Sequence, residues 1–170
     1  MIDIGGGSTE VIFGSLEDVR FKRSFKIGTV RCMQMFPGGD MADRAAFRKA
    51  RALAARTLSE IPDAGGFAFT GTGGTATALA AIDLKLEEYC SDRVQGHVIT
   101  LETAKRLCRM LESMTKEQRK TLPGLEESRA DVIVFGAIIM LEFMKAVGAV
   151  SITVSNRDNL EGYLSLKLGH

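Results

Sequence analysis

An α/β domain on a mixed five-stranded sheet, with flanking helices and a helical insertion, is what this sequence predicts. Three observations carry the prediction. The first 27 residues hold three β-rich runs separated by short turns. From residue 67 onward, short apolar runs alternate with helical periodicities, an order that sets parallel strands between helices. A helix-rich excursion at about 89–128 interrupts that alternation. The chain has 170 residues, 45% hydrophobic and 25% charged, which suits one domain over 1–170 with a real core.

The elements follow in order. Met1 to Ile4 is short and apolar apart from Asp3, and runs into Gly5-Gly6-Gly7. Thr9 to Phe13 is β-rich. Val19 to Ile27 alternates with period two: Val19, Phe21, Phe25 and Ile27 on one face, Arg20, Lys22, Ser24 and Lys26 on the other. Three such strands form an antiparallel meander. Phe47, Ala50, Ala54, Leu58 and Ile61 then repeat at helical spacing until Pro62. Phe67 to Thr70 is a strand leading into Gly71-Thr72-Gly73-Gly74, and Thr75 to Leu86 is helical. Thr100 can cap a helix with Ala104, Leu107, Cys108, Leu111 and Met114 on its apolar face. Thr115 with Gln118 is a capping-box pattern. Arg129 to Val147 reads as one long helix, apolar nearly all round, ending at Gly148. Val150 to Val154 is a strand and Asn159 to Leu168 a last helix. Three antiparallel strands followed by two helix-connected ones is the ribonuclease-H-like, actin-like ATPase pattern.

Charge and composition exclude several classes. Lys plus Arg is 22 and Asp plus Glu is 21, a net +1, which argues against an overall nucleic-acid binder. Cys32, Cys90 and Cys108 form no CxxC or metal spacing and read as reduced thiols of a cytoplasmic protein. No signal peptide pattern is present, and the most apolar stretch, Val132 to Met144, is too short to span a bilayer. No membrane partner is expected.

Two motifs carry chemistry. In Asp3-Ile4-Gly5-Gly6-Gly7-Ser8-Thr9-Glu10, glycines let a ligand approach the backbone, successive N–H groups make an anion nest, and the Ser8 and Thr9 hydroxyls add donors. If residues 5–8 form the hairpin turn, Ile4 pairs with Thr9 and Asp3 with Glu10. Paired side chains share a face about 5 Å apart. Two carboxylates at about that distance repel by about 3 kcal/mol at an effective dielectric of about 20, which solvent, a shared proton or a divalent cation must relieve. The bland alternative is a glycine turn carrying two solvated acids. In Gly71-Thr72-Gly73-Gly74-Thr75, a helix N-terminus points bare N–H groups above the sheet. No Lys follows, so it is no Walker loop, and as a dinucleotide fingerprint it is weak. Tight packing of helix on strand is its alternative reading. Loops at strand ends converge on one crevice, so the pair points to a phosphate ligand. Arg31, after Gly28-Thr29, is a further ligand candidate. Arg93, Lys105, Arg106, Arg109, Arg119 and Lys120 could serve a long polyanion as phosphate partners but read more simply as a solvated helix face, and His97 as a structural hydrogen-bonder.

Residues 3–10 resemble the signature of the exopolyphosphatase/guanosine-pentaphosphatase (Ppx/GppA) family. Lys26-Ile27-Gly28-Thr29-Val30-Arg31, Gly71-Thr72-Gly73-Gly74-Thr75, Arg129-Ala130-Asp131-Val132-Ile133 and Val154-Ser155-Asn156-Arg157 match further family segments in order. The resemblance implies the acetate/sugar kinase–Hsp70–actin fold and Mg²⁺-assisted hydrolysis of phosphoanhydride bonds in inorganic polyphosphate or pppGpp. The same-face pair Asp3 and Glu10, from the turn pairing above, is the candidate for the catalytic and metal-holding residues. The resemblance also implies a first domain, with another phosphate loop and a Glu base, that this chain lacks. The expected partners are therefore the substrate and that missing first domain, and a homodimer is allowed. A non-catalytic phosphate-binding half-protein and an actin- or sugar-kinase-like ATPase domain are the alternatives. With no Trp, two Tyr and most of nine Phe at core-type positions, inorganic polyphosphate is favoured over a nucleotide.

Overall fold

Strands β1 (Ile2–Ile4), β2 (Thr9–Gly14) and β3 (Val19–Phe25) form the antiparallel meander that the alternation predicts. The computed structural model describes residues 1–15, 17–37 and 44–157. Ile2, Ile4, Val11 and Phe13 are buried in the core, and Asp3, Glu10 and Ile12 occupy the opposite face, as period two requires. β3 stops at Phe25, two residues short of the expected Ile27. Its Val19 is 59% exposed rather than buried, because β3 is the sheet edge and its register shifts beside Gly14.

β4 (Thr70–Thr72) and β6 (Ser151–Val154) join β1 in parallel, as helix-connected strands should. The strand order is β3-β2-β1-β4-β6-β5, six strands rather than the predicted five. The extra strand, β5 (Val98–Thr100), lies antiparallel to β6 inside the expected helical excursion. Only Ile99 of its three residues is buried, too short a pattern to read as alternation. β4 also starts later than expected, at Thr70 rather than Phe67.

The helices are α1 (Thr29–Met35), α2 (Arg44–Leu58), α3 (Gly73–Asp83), α4 (Ser91–Val94), α5 (Leu101–Ser113), α6 (Lys116–Lys120) and α7 (Ile133–Ala146). Thr100 Oγ1 caps α5 by accepting from Thr103 N at 3.1 Å. The Thr115–Gln118 capping box of α6 is complete in both directions. α1 has no counterpart in the sequence reading, since its seven residues are too few for a periodic stripe. The last predicted helix, 159–168, lies outside the described residues. Every α7 residue from Ile133 to Met144 is buried, which is why its sequence shows no polar face. It touches α1, α2, α3, α5 and β1, and so is the centre of the helical layer. No helix among the described residues is long and apolar enough to cross a membrane.

The predicted helix from Arg129 is broken. A 3₁₀ turn covers Glu127–Arg129, and α7 begins only at Ile133. The cause is Arg119, the largest fully buried side chain, which sequence reading places on a solvated face. Its Nη1 donates to the Ala130 carbonyl at 3.2 Å, the oxygen that a continuous helix would give to residue 134. Its Nε and Nη2 donate to Leu111 O at 3.0 Å and Met114 O at 2.9 Å, capping the carbonyl end of α5. Its guanidinium also lies 5.8 Å from the Phe47 ring centroid, tying in α2. Arg119→Ala removes the donor from three carbonyls at once and should lower unfolding free energy by about 3 kcal/mol, read by urea titration. A loss below about 1 kcal/mol would mean water replaces the guanidinium.

Candidate functional site

The C-terminal ends of β1, β4 and β6 lie at one edge of the sheet, because these three strands are parallel. Three loops therefore meet there: 5–8, the start of α3, and 155–157. In the first, Gly5 N donates to Ser8 O at 2.9 Å and closes the hairpin turn. The register is Ile2↔Val11, Asp3↔Glu10 and Ile4↔Thr9, the pairing expected from the turn.

α1 holds this turn by its carbonyls. Thr29 N donates to Gly5 O, Arg31 N to Gly6 O and Arg31 Nε to Gly7 O, each at 2.9 Å. A trans peptide points its N–H opposite to its C=O. With three carbonyls drawn toward α1, the N–H groups of Gly6, Gly7 and Ser8 face the other way, and none has an acceptor among the described residues. That is an anion nest. It requires glycine at 28: a Cβ there would sit 2.6 Å from the Gly6 carbonyl and from Ser8 N.

The second loop supplies the same chemistry. Thr72, the N-cap of α3, donates its hydroxyl to Arg157 O at 2.9 Å and caps no N–H of the helix. The first N–H groups of α3 stay open. Gly73 turns the chain at φ +77°, and a Cβ there would strike the Asp3 carboxylate. The guanidinium of Arg129 packs against Gly74 and pairs with Glu126 at 3.3 Å.

Ser24, Glu10, Asp3 and Thr72 form one row across four strands, since Glu10↔Ser24, Asp3↔Glu10 and Asp3↔Thr72 are paired positions. Glu10 Oε1 accepts from Ser8 Oγ at 2.8 Å and Ser24 Oγ at 2.6 Å, which fixes its orientation. Both acids are half-buried. Among the described residues no group of three or more His, Cys, Asp or Glu converges, so any metal would rest on this pair and on its ligand's own oxygens.

Residues 1–169 match the sequence model of the Ppx/GppA phosphatase family. The chain belongs to that family. It is 31% identical over 170 residues to exopolyphosphatase 2 of Mycobacterium tuberculosis, with 95% of this chain covering 53% of that protein. It is 27% identical over 174 residues to the guanosine-5'-triphosphate,3'-diphosphate pyrophosphatase of Aeromonas hydrophila, with 100% of this chain covering 34% of that one. The crystal structure of the Aquifex aeolicus Ppx/GppA phosphatase superposes with a TM-score of 0.91 at 28% identity, over 98% of this chain and 56% of that one. The chain thus spans about half or less of the length of these relatives, and its fold is that of an actin-like ATPase family.

Within the Ppx/GppA frame, the structure brings Asp3, Gly5, Gly6, Gly7, Ser8, Glu10, Thr72, Gly73 and Gly74 to one end of the sheet, whereas Gly71 is a buried strand position paired on both sides. Several expected phosphate donors are corrected in role: Gly5 N closes the turn on Ser8 O, and the Ser8 and Thr72 hydroxyls donate to Glu10 and to Arg157 O. The Thr9 and Thr75 hydroxyls are buried and donate to Ile27 O and Ile4 O, each at 2.7 Å, so they brace the loops. Arg31 is exposed beside the turn, but its Nε is committed to Gly7 O. Sequence reading missed Ser24, which the period-two face of β3 placed with polar residues. It named Arg129 and residues 154–157 only as family segments, without a place at the site, where Asn156 is bonded to Tyr89, Ser91 and Gln95.

Gly28→Ala should cost about 1–3 kcal/mol of stability, because backbone blocks the new methyl on both sides, and should displace the nest. Gly7→Ala, where nothing lies within 4 Å, should stay within about 0.5 kcal/mol of wild type. Equal losses in urea unfolding would remove the close-packing account.

Proposed function

We propose that this chain is the phosphate-holding half of an exopolyphosphatase-like phosphohydrolase that cleaves the terminal phosphoanhydride bond of inorganic polyphosphate. One observation carries this reading: the outward N–H row of Gly6, Gly7 and Ser8, at the same sheet edge as the uncapped start of α3 and the Asp3–Glu10 pair. The relatives named above are an exopolyphosphatase and a guanosine polyphosphate pyrophosphatase, and the chemistry common to both names is hydrolysis at a phosphate chain.

In this reading the two N–H rows bind the nonbridging oxygens of consecutive phosphates and stay fixed while charge develops on the transferring group. Glu10, held by Ser8 and Ser24, orients the attacking water with Asp3. The water oxygen bonds to the terminal phosphorus, the bond to the bridging oxygen breaks, and orthophosphate and a shortened chain leave. The water proton passes to a base outside this chain, in the first domain that the family resemblance implies. Mg²⁺ suits the donor set, because Asp3 and Glu10 are oxygen ligands on adjacent strands and Mg²⁺ is usually held by one or two carboxylates plus phosphate oxygens. When bound it would neutralise phosphate charge.

The choice of inorganic chain rests on the aromatics. All nine Phe are buried or packed against the core. One observation favours a nucleotide instead. Tyr89, 55% exposed, lines a cavity of about 220 Å³ with Gly74, Gly124, Glu126 and Arg129, and its ring is open to a base. A non-catalytic phosphate-binding module is the remaining alternative.

The 170-residue chain should bind tripolyphosphate in Mg²⁺ buffer and release no orthophosphate by itself. Asp3→Asn and Glu10→Gln should each weaken the Mg²⁺-dependent binding at least about tenfold and, with the first domain present, cut turnover at least about a hundredfold. Calorimetry and phosphate release read both. Turnover near normal in both variants would return the pair to solvated turn acids. ATP binding more tightly than tripolyphosphate, and losing that advantage in Tyr89→Ala, would select the nucleotide reading.

A further inference from the structure

A second cationic concavity lies away from the sheet edge, on the outer side of the helical layer. A cavity of about 420 Å³ opens between α2 and α5, lined by Arg44, Arg48, Arg51 and Arg109 around Phe47, with Glu112 as the one acid in its wall among the described residues. It shares no lining residue with the loops at 5–8, 73–75 and 155–157. Its size is that of a small-molecule site.

The four guanidiniums differ. Arg51 is neutralised and rigid: Nη2 donates to Glu112 Oε1 at 2.6 Å and Nη1 to Glu142 Oε1 at 2.9 Å. Glu142 is itself buried on α7 and also accepts from Lys145 at 2.8 Å. Burial pushes the Cys108 thiol beside Arg51 up to about 11, so it carries no charge at neutral pH. Among the described residues, Glu112 and Glu142 are therefore taken up by Arg51, while Glu102, an exposed acid on the same helix as Arg109, feels the Arg109 charge without pairing with it. Arg44, Arg48 and Arg109 are exposed and make no ion pair among the described residues. Arg44 and Arg48 sit one helical turn apart, a like-charge spacing that costs a helix about 0.2–0.5 kcal/mol. The fold keeps that repulsion and adds Arg109 to it across the cavity. Three guanidinium forks around one concavity, none ion-paired among the described residues, match an oxyanion, and their planar paired donors suit phosphate oxygens. Phe47, fully buried at the base, offers no polar partner, so recognition falls to the rim.

We infer that the α2–α5 cavity is a second anion site, which takes a short run of an inorganic phosphate chain on Arg44, Arg48 and Arg109. The choice of an inorganic chain rests on the polyphosphate reading above, whereas the cationic cavity does not. Such a site would anchor a chain away from the end being cleaved and needs no carboxylate-held metal.

The test is calorimetric titration of the 170-residue chain with tripolyphosphate, with Mg²⁺ removed by chelator. Arg48→Gln with Arg109→Gln keeps hydrogen-bonding shape and removes two charges from exposed positions. The expected result is at least tenfold weaker Mg²⁺-independent binding, with the Mg²⁺-dependent binding that responds to Asp3→Asn unchanged. Phenylglyoxal modification of wild type, mapped by mass spectrometry, should show tripolyphosphate protecting Arg44, Arg48 and Arg109, and this needs no variant to fold. Unchanged titration in the double variant, or no protection of these arginines, overturns the site. ATP protecting them at least tenfold better than tripolyphosphate overturns the inorganic-chain assignment. Loss of the Mg²⁺-dependent binding alone, with protection intact, counts against the sheet-edge reading and leaves this one standing.

Discussion

The three carbonyl groups of Gly5, Gly6 and Gly7 constrain the rest of the site. Each peptide plane in the turn has two polar ends, and α1 occupies one of them with Thr29 N, Arg31 N and Arg31 Nε. The other ends must then point into the cleft, so the nest is built before any ligand arrives. Pre-orientation of this kind is what makes backbone donors effective, because no dipole has to turn when charge develops. It also explains why a loop rich in glycine can be rigid. Freedom of the chain is removed by hydrogen bonds at three successive residues and by close packing of Gly28 on Gly6.

The second loop is tied to the first through the core. Thr75 donates to Ile4 O at 2.7 Å, so the first turn of α3 is bonded directly to the strand that enters the nest. Gly136 of α7 lies against the Thr75 methyl, and α7 touches both α1 and α3. Behind it, Arg119 joins α5, α2 and the turn at Ala130, and so sets where Arg129 meets Gly74. The donors on two loops are thereby held by one packed layer, and a change deep in that layer is felt at the sheet edge.

What could be read from the residues was the local chemistry. The Asp3↔Glu10 register follows from a turn of known length, the α5 and α6 caps from hydroxyls at fixed offsets, and the burial of α7 from a helix with no polar face. What could not be read was long-range. Arg119 and Arg106 are neighbours in kind and sequence, yet one is fully buried on carbonyls and the other pairs with Asp83, which also binds His97. Nothing local distinguishes them. β5 escaped because three residues cannot show a period, and the helix break at Ala130 because its cause lies 11 residues away. The Thr9 and Thr75 hydroxyls look alike to Ser8 in sequence, but strand alternation turns Thr9 inward, and the β1 carbonyl captures Thr75.

A net charge of +1 had excluded a strongly basic binder, yet the fold distributes its charges unevenly. Arg51 spends two carboxylates, Glu112 and Glu142, in the interior of the α2–α5–α7 packing. With two acids on one guanidinium inside, Arg44, Arg48 and Arg109 above it make no ion pair among the described residues. At the sheet edge the bias is reversed: two carboxylates stand beside donors that carry only partial positive charge. An anion approaching that edge without a cation meets repulsion from Asp3 and Glu10 as well as attraction from the N–H rows. The helical face presents the opposite case, whole positive charges on Arg44, Arg48 and Arg109 that make no ion pair among the described residues. Long polyanions bound through exposed guanidiniums feel a field that reaches about 8–10 Å at physiological salt, whereas backbone donors act only at contact. On the proposed reading the two surfaces divide the work by range: the arginine cavity would gather a chain from solution, and the glycine loops would hold one end of it in register for chemistry.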